Sequence, residues 1–448
     1  MTTHSMRPRV VYLAEGRTAE TDTPGQSILR ISQQARVPHM SECGGRARCT
    51  TCRVRILDGL ANISPRSEAE RVIAEARGWD AFTRLACQTR VHGEVTVERI
   101  IRSAADATRI RVEEANTKPG RELALAILFC DLRNFTPLTE RHLPYDVVHL
   151  LNRHFEAVGE PILNNNCYID MYIGDALVAH YGLDGASAER ACVDAVRSAL
   201  LMIQSLEDLN RRVLSEFGVS LEVGIGVHFG STIVGPIGHS SKRQLTAIGD
   251  SVNVASRIES ATKTLGATLL VSDDVMAHVG TLVRSPRHFD TALKGKRGRT
   301  RLHEVTGFVA HDTVMLVQST FAHVAGNGAG FGKRFYEILF SIAPDTRALF
   351  TTTPLALQER MFVELIWLAV RSLPRLEALI PALEDLGARH AAYGIQEAHF
   401  TVNKRALIET LREALGSRMT PDAEAAWSET HDAISAAMLR GMNAARSQ

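Results

Sequence analysis

The segment QLTAIGDSVNVASRIE, residues 244–259, is the one on which the reading of this chain turns. It sets Asn253 and Arg257 four residues apart, so both occupy one face of a helix. A positioned amide and a guanidinium can steady ribose and phosphate charge in a transition state. Two upstream segments supply the complementary chemistry. FCDLRNFTPLTE (129–140) puts Asp131 directly after an apolar run, and YIDMYIGDALVAHYG (168–182) puts Asp175 after Gly174. Taken singly, an aspartate at a turn is usually only a turn residue. Brought together, two carboxylates can hold two hard cations on a nucleotide triphosphate. Downstream, LKGKRGRTRLHEV (293–305) places Lys294 in a basic, glycine-containing loop suited to phosphates.

Together these segments resemble the catalytic domain of the class III adenylate/guanylate cyclases, over residues 123–308. The resemblance implies an α+β, ferredoxin-like sandwich. It implies that Asp131 and Asp175 bind two Mg²⁺ or Mn²⁺ ions, with the carbonyl of Leu132 as a further ligand. Asn253 and Arg257 become the transition-state pair, Lys294 the triphosphate-binding lysine, and Thr246 and Met171 the purine-selecting positions. It also implies a homodimer, with the aspartates of one chain facing the Asn/Arg pair of the other. Met171 departs from the pattern: adenylate cyclases usually carry lysine there and guanylate cyclases glutamate. Methionine offers no strong hydrogen bond. Thr246 resembles the adenylate version, so ATP is the expected substrate. A hydroxyl that is free to turn can donate or accept, so weak purine selection is expected, with guanylate cyclase activity left open. Cys130, Cys167 and Cys192 read as packing residues, and His228 as structural.

A second signal lies near the N-terminus, in CGGRARCTTC (43–52), with a fourth cysteine at Cys87. Four thiolates, Cys43, Cys49, Cys52 and Cys87, can hold zinc or an iron–sulfur cluster. Only one Cys-x-x-Cys pair is present, whereas structural zinc usually takes two. Gly44 and Gly45 allow backbone N–H groups to approach sulfur closely. SECGGRARCTTC followed by LACQ (85–88) resembles a 2Fe-2S ferredoxin with the x5 spacing of the adrenodoxin-like branch. The resemblance covers about residues 8–100 and implies a ferredoxin-like β-grasp (α+β) domain. The strands RVVYL and GEVTVERI (93–100) bracket it.

From residue 311 onward nearly everything has helical period, which predicts an all-α region. His390, in LEDLGARHAAYG, shares a helical face with Leu383 and Leu386. Such a histidine is by default a satisfied core residue. The surrounding segments, FYEILFSIAPDTRALF and GIQEAHFTVNKRALIETLREALG, resemble a bacterial globin of the haemoglobin and flavohaemoglobin type over about 311–448. By that resemblance His390 is the proximal ligand of haem b, Phe350 packs on the porphyrin, and Tyr336 and Gln358 are distal residues that hydrogen-bond a bound gas. Phe400 stands where flavohaemoglobins carry a proximal-side tyrosine, and their glutamate near the C-terminus has no counterpart. That absence favours a sensor over a nitric-oxide dioxygenase.

The 448 residues are enough for about three domains. The expected organisation is a 2Fe-2S ferredoxin domain at 1–104, a linker at 105–122, a cyclase catalytic domain at 123–308 and a globin domain at 309–448. The net charge of +1 gives no global field for nucleic acid or an anionic membrane. No run has the length of a membrane span, and MTTHSMRPRV is not a secretory signal. A cytoplasmic setting is expected, where thiols stay reduced and seven cysteines argue for metal or packing rather than disulfides. The resulting expectation is a redox- and gas-responsive adenylate cyclase, with ATP, a diatomic gas and a ferredoxin reductase as partners. The rival is a ferredoxin–globin electron-transfer pair for gas detoxification, with the cyclase fold as a dimerising or nucleotide-binding module.

Overall fold

The computed structural model describes residues 7–446 apart from 14–15, 36, 38, 42–44, 46, 48–49, 102–119, 142, 218, 240–241, 297, 326–327 and 351–353. The chain divides into two compact units, one comprising residues 1–110, 375–396 and 434–448, the other 111–374 and 397–433.

In the first unit, the strands Arg17–Glu20, Arg9–Tyr12, Glu94–Arg99, Arg53–Asp58 and Thr83–Leu85 form a sheet in that order. Arg9–Tyr12 and Glu94–Arg99 lie parallel, and the other pairs are antiparallel. Joining the first and last strands of the region in parallel is what a β-grasp does. Alternation of Val95 and Val97 with polar neighbours turns one face inward. There Ile28 and Ile31, from the helix Ile28–Gln34, complete a core with Val10, Tyr12, Ile56 and Leu85. The helix Leu376–Ala392 and the last part of Pro421–Arg446 also belong to this unit. They cross backbone to backbone, because a Cβ on Gly387 would overlap Met438 and one on Gly441 would overlap Glu384.

The second unit is built on a sheet whose strands run His288–Thr291, Thr300–Glu304, Leu269–Ser272, Val223–His239, Arg121–Leu132, Ala176–Tyr181 and Cys167–Ile173. Lys242–Ile248 pairs with the far half of Val223–His239. The apolar run LALAILFCDL is continuous because the strand Arg121–Leu132 is covered on both faces. Ala126, Leu128 and Cys130 pack in the core that includes Leu150 and Val158, from the helix Pro144–Leu163, and Val196 and Ala199, from Ala188–Arg212. Leu125 and Ile127 pack on the other side with Ala255 and Val252, from the helix Asp250–Leu265. That helix lies directly on the strand Val223–His239, where a Cβ on Gly226 would strike the backbone of Glu259.

Among the described residues, the C-terminal helices of this unit are Thr313–Ala325, Gly328–Ile342, Leu355–Ser372, Glu397–Leu415 and the first part of Pro421–Arg446. Their core is aromatic, with Phe335 stacked on Phe362 at 3.8 Å between ring centroids. A buried polar network binds the first of these helices to the large sheet. Gln318 donates to the carbonyl of Asn164 and accepts from Nδ2 of Asn165, at the turn that feeds the strand Cys167–Ile173. Arg197 bridges Asp194 and Asp312.

Candidate functional site

Asp131 follows Leu125, Ile127 and Phe129 at strand period, so it emerges on the sheet face covered by Asp250–Leu265. Asp175 arrives from the turn between Cys167–Ile173 and Ala176–Tyr181, which Gly174 makes possible at φ +65°. The two carboxyls come within hydrogen-bond contact. Burial first, and then the Asp131 charge, pushes Asp175 up to about 6. Oδ1 of Asp131 is buried and finds no hydrogen-bond partner among the described residues. A buried carboxylate oxygen without a donor, beside a second carboxylate, is the donor set a hard divalent cation needs.

A third carboxylate joins them that sequence reasoning missed. Burial, then Asp131, raises Glu259 to about 7. Its closeness depends on Gly224, where a Cβ would stand 2.9 Å from the Glu259 carboxylate oxygen Oε1. The signal was present in sequence as a bare glycine in VGIG, but only the helix-on-strand packing gives it meaning.

Asn253 and Arg257 sit on the same helix, Asn253 exposed and Arg257 half-buried. Glu259, two residues on from Arg257, points about half a turn away. One side of the helix therefore meets Asp131 and Asp175 of its own chain, while the other carries the Asn/Arg pair. The loop of Lys294 docks against that second side. Lys296 pairs with Asp250 at the helix N-terminus, and a Cβ on Gly295 would stand 3.3 Å from Nη2 of Arg257. Lys294 itself is exposed beside them. Leu132 ends its strand with its side chain buried. Met171 and Thr246 are both half-buried, on different strands. Cys130, Cys167 and Cys192 are buried, and His228 bonds Ser272 at 2.9 Å, in agreement with packing and structural roles.

At the cysteine loop, Cys43, Cys49 and Gly44 lie outside the described residues. Cys52 and Cys87 lie side by side. Contact with Cys52, the amide of Gln88 and the backbone N–H of Ala47 draw the Cys87 thiol down to about 6 against the opposing effect of burial. Gln88 Nε2 reaches Cys87 Sγ at 3.5 Å. Gly45, at φ +83°, lies over Cys87, where an added Cβ would stand 3.7 Å from the Cys87 Cβ. Adjacent thiols with N–H donors aimed at sulfur fit an iron–sulfur cluster.

In the globin region, Nδ1 of His390 donates to the carbonyl of Leu386 at 2.8 Å. That bond fixes the tautomer and leaves Nε2 with a lone pair, the state required of a metal ligand. Burial holds the ring below its ordinary pKa, which favours the neutral form. In the larger unit, Tyr336 is buried, with Gln358 in hydrogen-bond contact with its hydroxyl. Phe350 packs edge-on against Tyr336 at 5.3 Å. Tyr336 thus meets both Gln358, the other expected distal residue, and Phe350, the expected porphyrin-packing residue. Phe400 is half-buried on Glu397–Leu415.

Comparison with known proteins finds three families along the chain. Residues 12–92 match the 2Fe-2S iron-sulfur cluster binding domain, 118–308 the adenylate and guanylate cyclase catalytic domain, and 333–438 the globin family. The chain carries these three domains in that order. It therefore takes a 2Fe-2S cluster, divalent cations and haem as its cofactors. An adenylate cyclase of Anabaena cylindrica is 34% identical over 192 residues, covering 40% of this chain and 36% of that protein. A flavohemoprotein of Bacillus thuringiensis subsp. konkukian is 28% identical over 134 residues, covering 29% of this chain and 33% of that protein. The chain thus spans about a third of the length of these curated relatives. Among solved structures, the guanylyl cyclase Cya2 is 27% identical with a TM-score of 0.40, covering 43% of this chain and 95% of that one. Among the described residues, no helix is long and apolar enough to cross a membrane.

Proposed function

We propose that this chain is a redox- and gas-responsive adenylate cyclase of the cytoplasm, converting ATP to 3',5'-cyclic AMP and pyrophosphate at a homodimer interface. The observation that carries the proposal is the Asp131–Asp175 pair with its unpartnered buried oxygen. Domain limits of 1–104, 123–308 and 309–448, with a linker at 105–122, accompany it.

In the reaction, the 3'-oxygen of ribose bonds to the α-phosphorus, the bond from that phosphorus to the β-phosphate oxygen breaks, and the 3' proton passes to solvent. Asp131, Asp175 and the carbonyl of Leu132 would hold two divalent cations, which would supply Lewis-acid polarisation of phosphate oxygens. Arg257 and Asn253 hold charge and ribose orientation as the α-phosphorus becomes five-coordinate, and Lys294 binds the leaving triphosphate end. The opposed faces of the helix Asp250–Leu265 favour an arrangement in which one protomer's Asn/Arg pair completes its partner's metal site. Thr246 and Met171 contact the base.

The flanking domains report to this site. The cluster, held by Cys43, Cys49, Cys52 and Cys87, carries redox state, with a ferredoxin reductase as its electron source. Haem takes His390 as its proximal ligand and carries occupancy by a diatomic gas; the resemblance assigns Phe350 to the porphyrin and Tyr336 and Gln358 to the gas. The test is product analysis of purified protein with ATP and Mn²⁺ or Mg²⁺. Cyclic AMP is expected, with gas- and dithionite-dependent rates. Asp131→Ala and Arg257→Ala chains, each inactive, should regain activity when subunits exchange. Exchange without recovery would overturn the shared site. His390→Ala should lose haem while keeping cluster absorbance.

A further inference from the structure

The purine-selecting position Thr246 is not left to itself. Its hydroxyl donates to Oδ2 of Asp170 at 2.5 Å. The same oxygen faces Nε2 of His180 at 3.0 Å, and both of those side chains are 2% exposed. Gln244 closes the cluster by donating its amide to the Asp170 carbonyl, tying the strand Lys242–Ile248 to the edge strand Cys167–Ile173. Nδ1 of His180 has no partner among the described residues. With Nδ1 unpartnered, Nε2 is the ring nitrogen that donates, toward Asp170.

Asp170 reaches this place through a β-bulge. Val178 opposes Met171 and Ala179 opposes Ile169, so Asp170 is the extra residue of its strand. A bulge breaks the strict alternation of faces and re-aims a side chain. Without it, neighbours such as Asp170 and Met171 would point to opposite sides of the sheet. The cyclase resemblance gives the base-reading role in YIDMYIGDA to Met171, and the carboxylate beside it is brought into play only by the bulge.

We infer that Asp170 is a specificity-determining positioning residue, which selects adenine over guanine by holding the Thr246 hydroxyl as an acceptor. The inference rests on the proposed reading of Thr246 as a base contact. An ionised carboxylate only accepts hydrogen bonds, so the single hydroxyl proton of Thr246 is committed to Asp170. What Thr246 then offers a base is lone pairs. Adenine carries an amino donor at its 6-position and satisfies them. Guanine carries a carbonyl there, which would set acceptor against acceptor or pull the hydroxyl off Asp170 and leave a buried carboxylate short of a donor. The free rotation that would make a lone threonine indifferent is removed. Selection for ATP is restored in a chain that has methionine in place of the usual lysine.

The experiment measures kcat/KM for ATP and for GTP on the full-length protein with Mn²⁺. In parallel, displacement of methylanthraniloyl-ATP by each nucleotide gives a binding ratio that does not need turnover. The wild type is expected to favour ATP by about tenfold or more, the loss expected from a mismatched buried hydrogen bond. In Asp170→Asn the amide can donate to Thr246 and free its proton, so the ATP/GTP ratio should fall about tenfold. In a Thr246→Val background the same substitution should change the ratio less than about twofold, because the two residues act as one unit. Should Asp170→Asn not fold, Asp170→Val/His180→Leu removes both members of the buried pair and should show the same loss of preference. A wild type without ATP preference overturns the inference. So does a ratio unmoved by loss of the carboxylate, or an effect of Asp170→Asn that persists without the Thr246 hydroxyl. If neither nucleotide is turned over but the displacement ratios behave as expected, cyclase activity fails and the base-reading role of Asp170 stands. If neither nucleotide displaces the probe, both fail.

Discussion

Cys87 and Asp175 meet near the same value from opposite directions. Neighbouring donors draw the thiol down to about 6, and burial beside a second carboxylate pushes the carboxyl up to about 6. Both are candidate ligands, but the two regions prepare their ligands differently. At the cysteine loop the protein supplies positive dipoles, from the Ala47 N–H and the Gln88 amide, so the anionic sulfur is welcome before any iron arrives. At the aspartate pair the protein supplies like charge and an orphaned oxygen, so the carboxylates are uncomfortable until a cation arrives. The first region favours its anionic ligand before a metal binds, the second only once a cation does.

The sharpest way to break that contrast is to remove a ligand from each site. Cys87→Ala should abolish the 2Fe-2S absorbance, because the remaining thiolates leave one iron coordination position empty. Full cluster retention, by iron and sulfide analysis, would remove Cys87 from the ligand set. Asp131→Ala should lower cyclic AMP formation by about 10³-fold or more, the scale of a lost charge-stabilising group, about 4 kcal/mol. Activity within tenfold of wild type would remove Asp131 from catalysis. EDTA should silence the wild-type cyclase and leave cluster absorbance unchanged. A cluster that leaves with the cations would contradict the contrast between the two sites.

A smaller effect concerns His154, a buried ring that no donor or cation serves. Both of its nitrogens lack partners among the described residues, and burial lowers it to about 4. Its folded pKa lies below the ordinary value of about 6.5, so the unfolded chain binds the extra proton first as pH falls. Stability should therefore decline from about pH 6.5 to pH 4 and then level off, by about 3 kcal/mol from this residue. His154→Phe should flatten that part of the stability profile in thermal unfolding of the second unit's transition. An unchanged slope would mean that the ring is not buried neutral. The smallest effect is that of Gln88→Leu, which removes one donor to sulfur. The cluster should remain, with a lower reduction potential, since donors to sulfur stabilise the reduced, more negative state. A potential that rises, in a redox titration followed optically, would reverse the account of how this loop favours anionic sulfur.

Much of the site was legible as local pattern. Asn253 and Arg257 follow helical period, Asp131 ends an apolar run, Asp175 follows a turn glycine, and the cysteines keep a characteristic spacing. By pattern alone His390 was a histidine on an apolar stripe, and the globin resemblance was needed to name it a haem ligand. Its Nδ1 bond to Leu386 is what distinguishes a ligand-ready ring from His154, and no periodicity separates the two. Glu259 escaped because its approach to the aspartates depends on two bare glycines in a strand 33 or more residues away, Gly224 and Gly226. Asp170 escaped because a bulge is a property of two paired strands.

By itself, the sequence determined the three kinds of domain, their order and the residue types that carry their chemistry. These are written in short motifs whose meaning depends only on neighbours a few positions apart. The tertiary structure alone decided which oxygen of Asp131 is orphaned, that Thr246 gives its proton to Asp170, and which nitrogen of His390 is left to bind. Each of these is a question of where a proton or lone pair points, and that is settled by a partner brought in from a distant strand or by the backbone geometry of the finished helix.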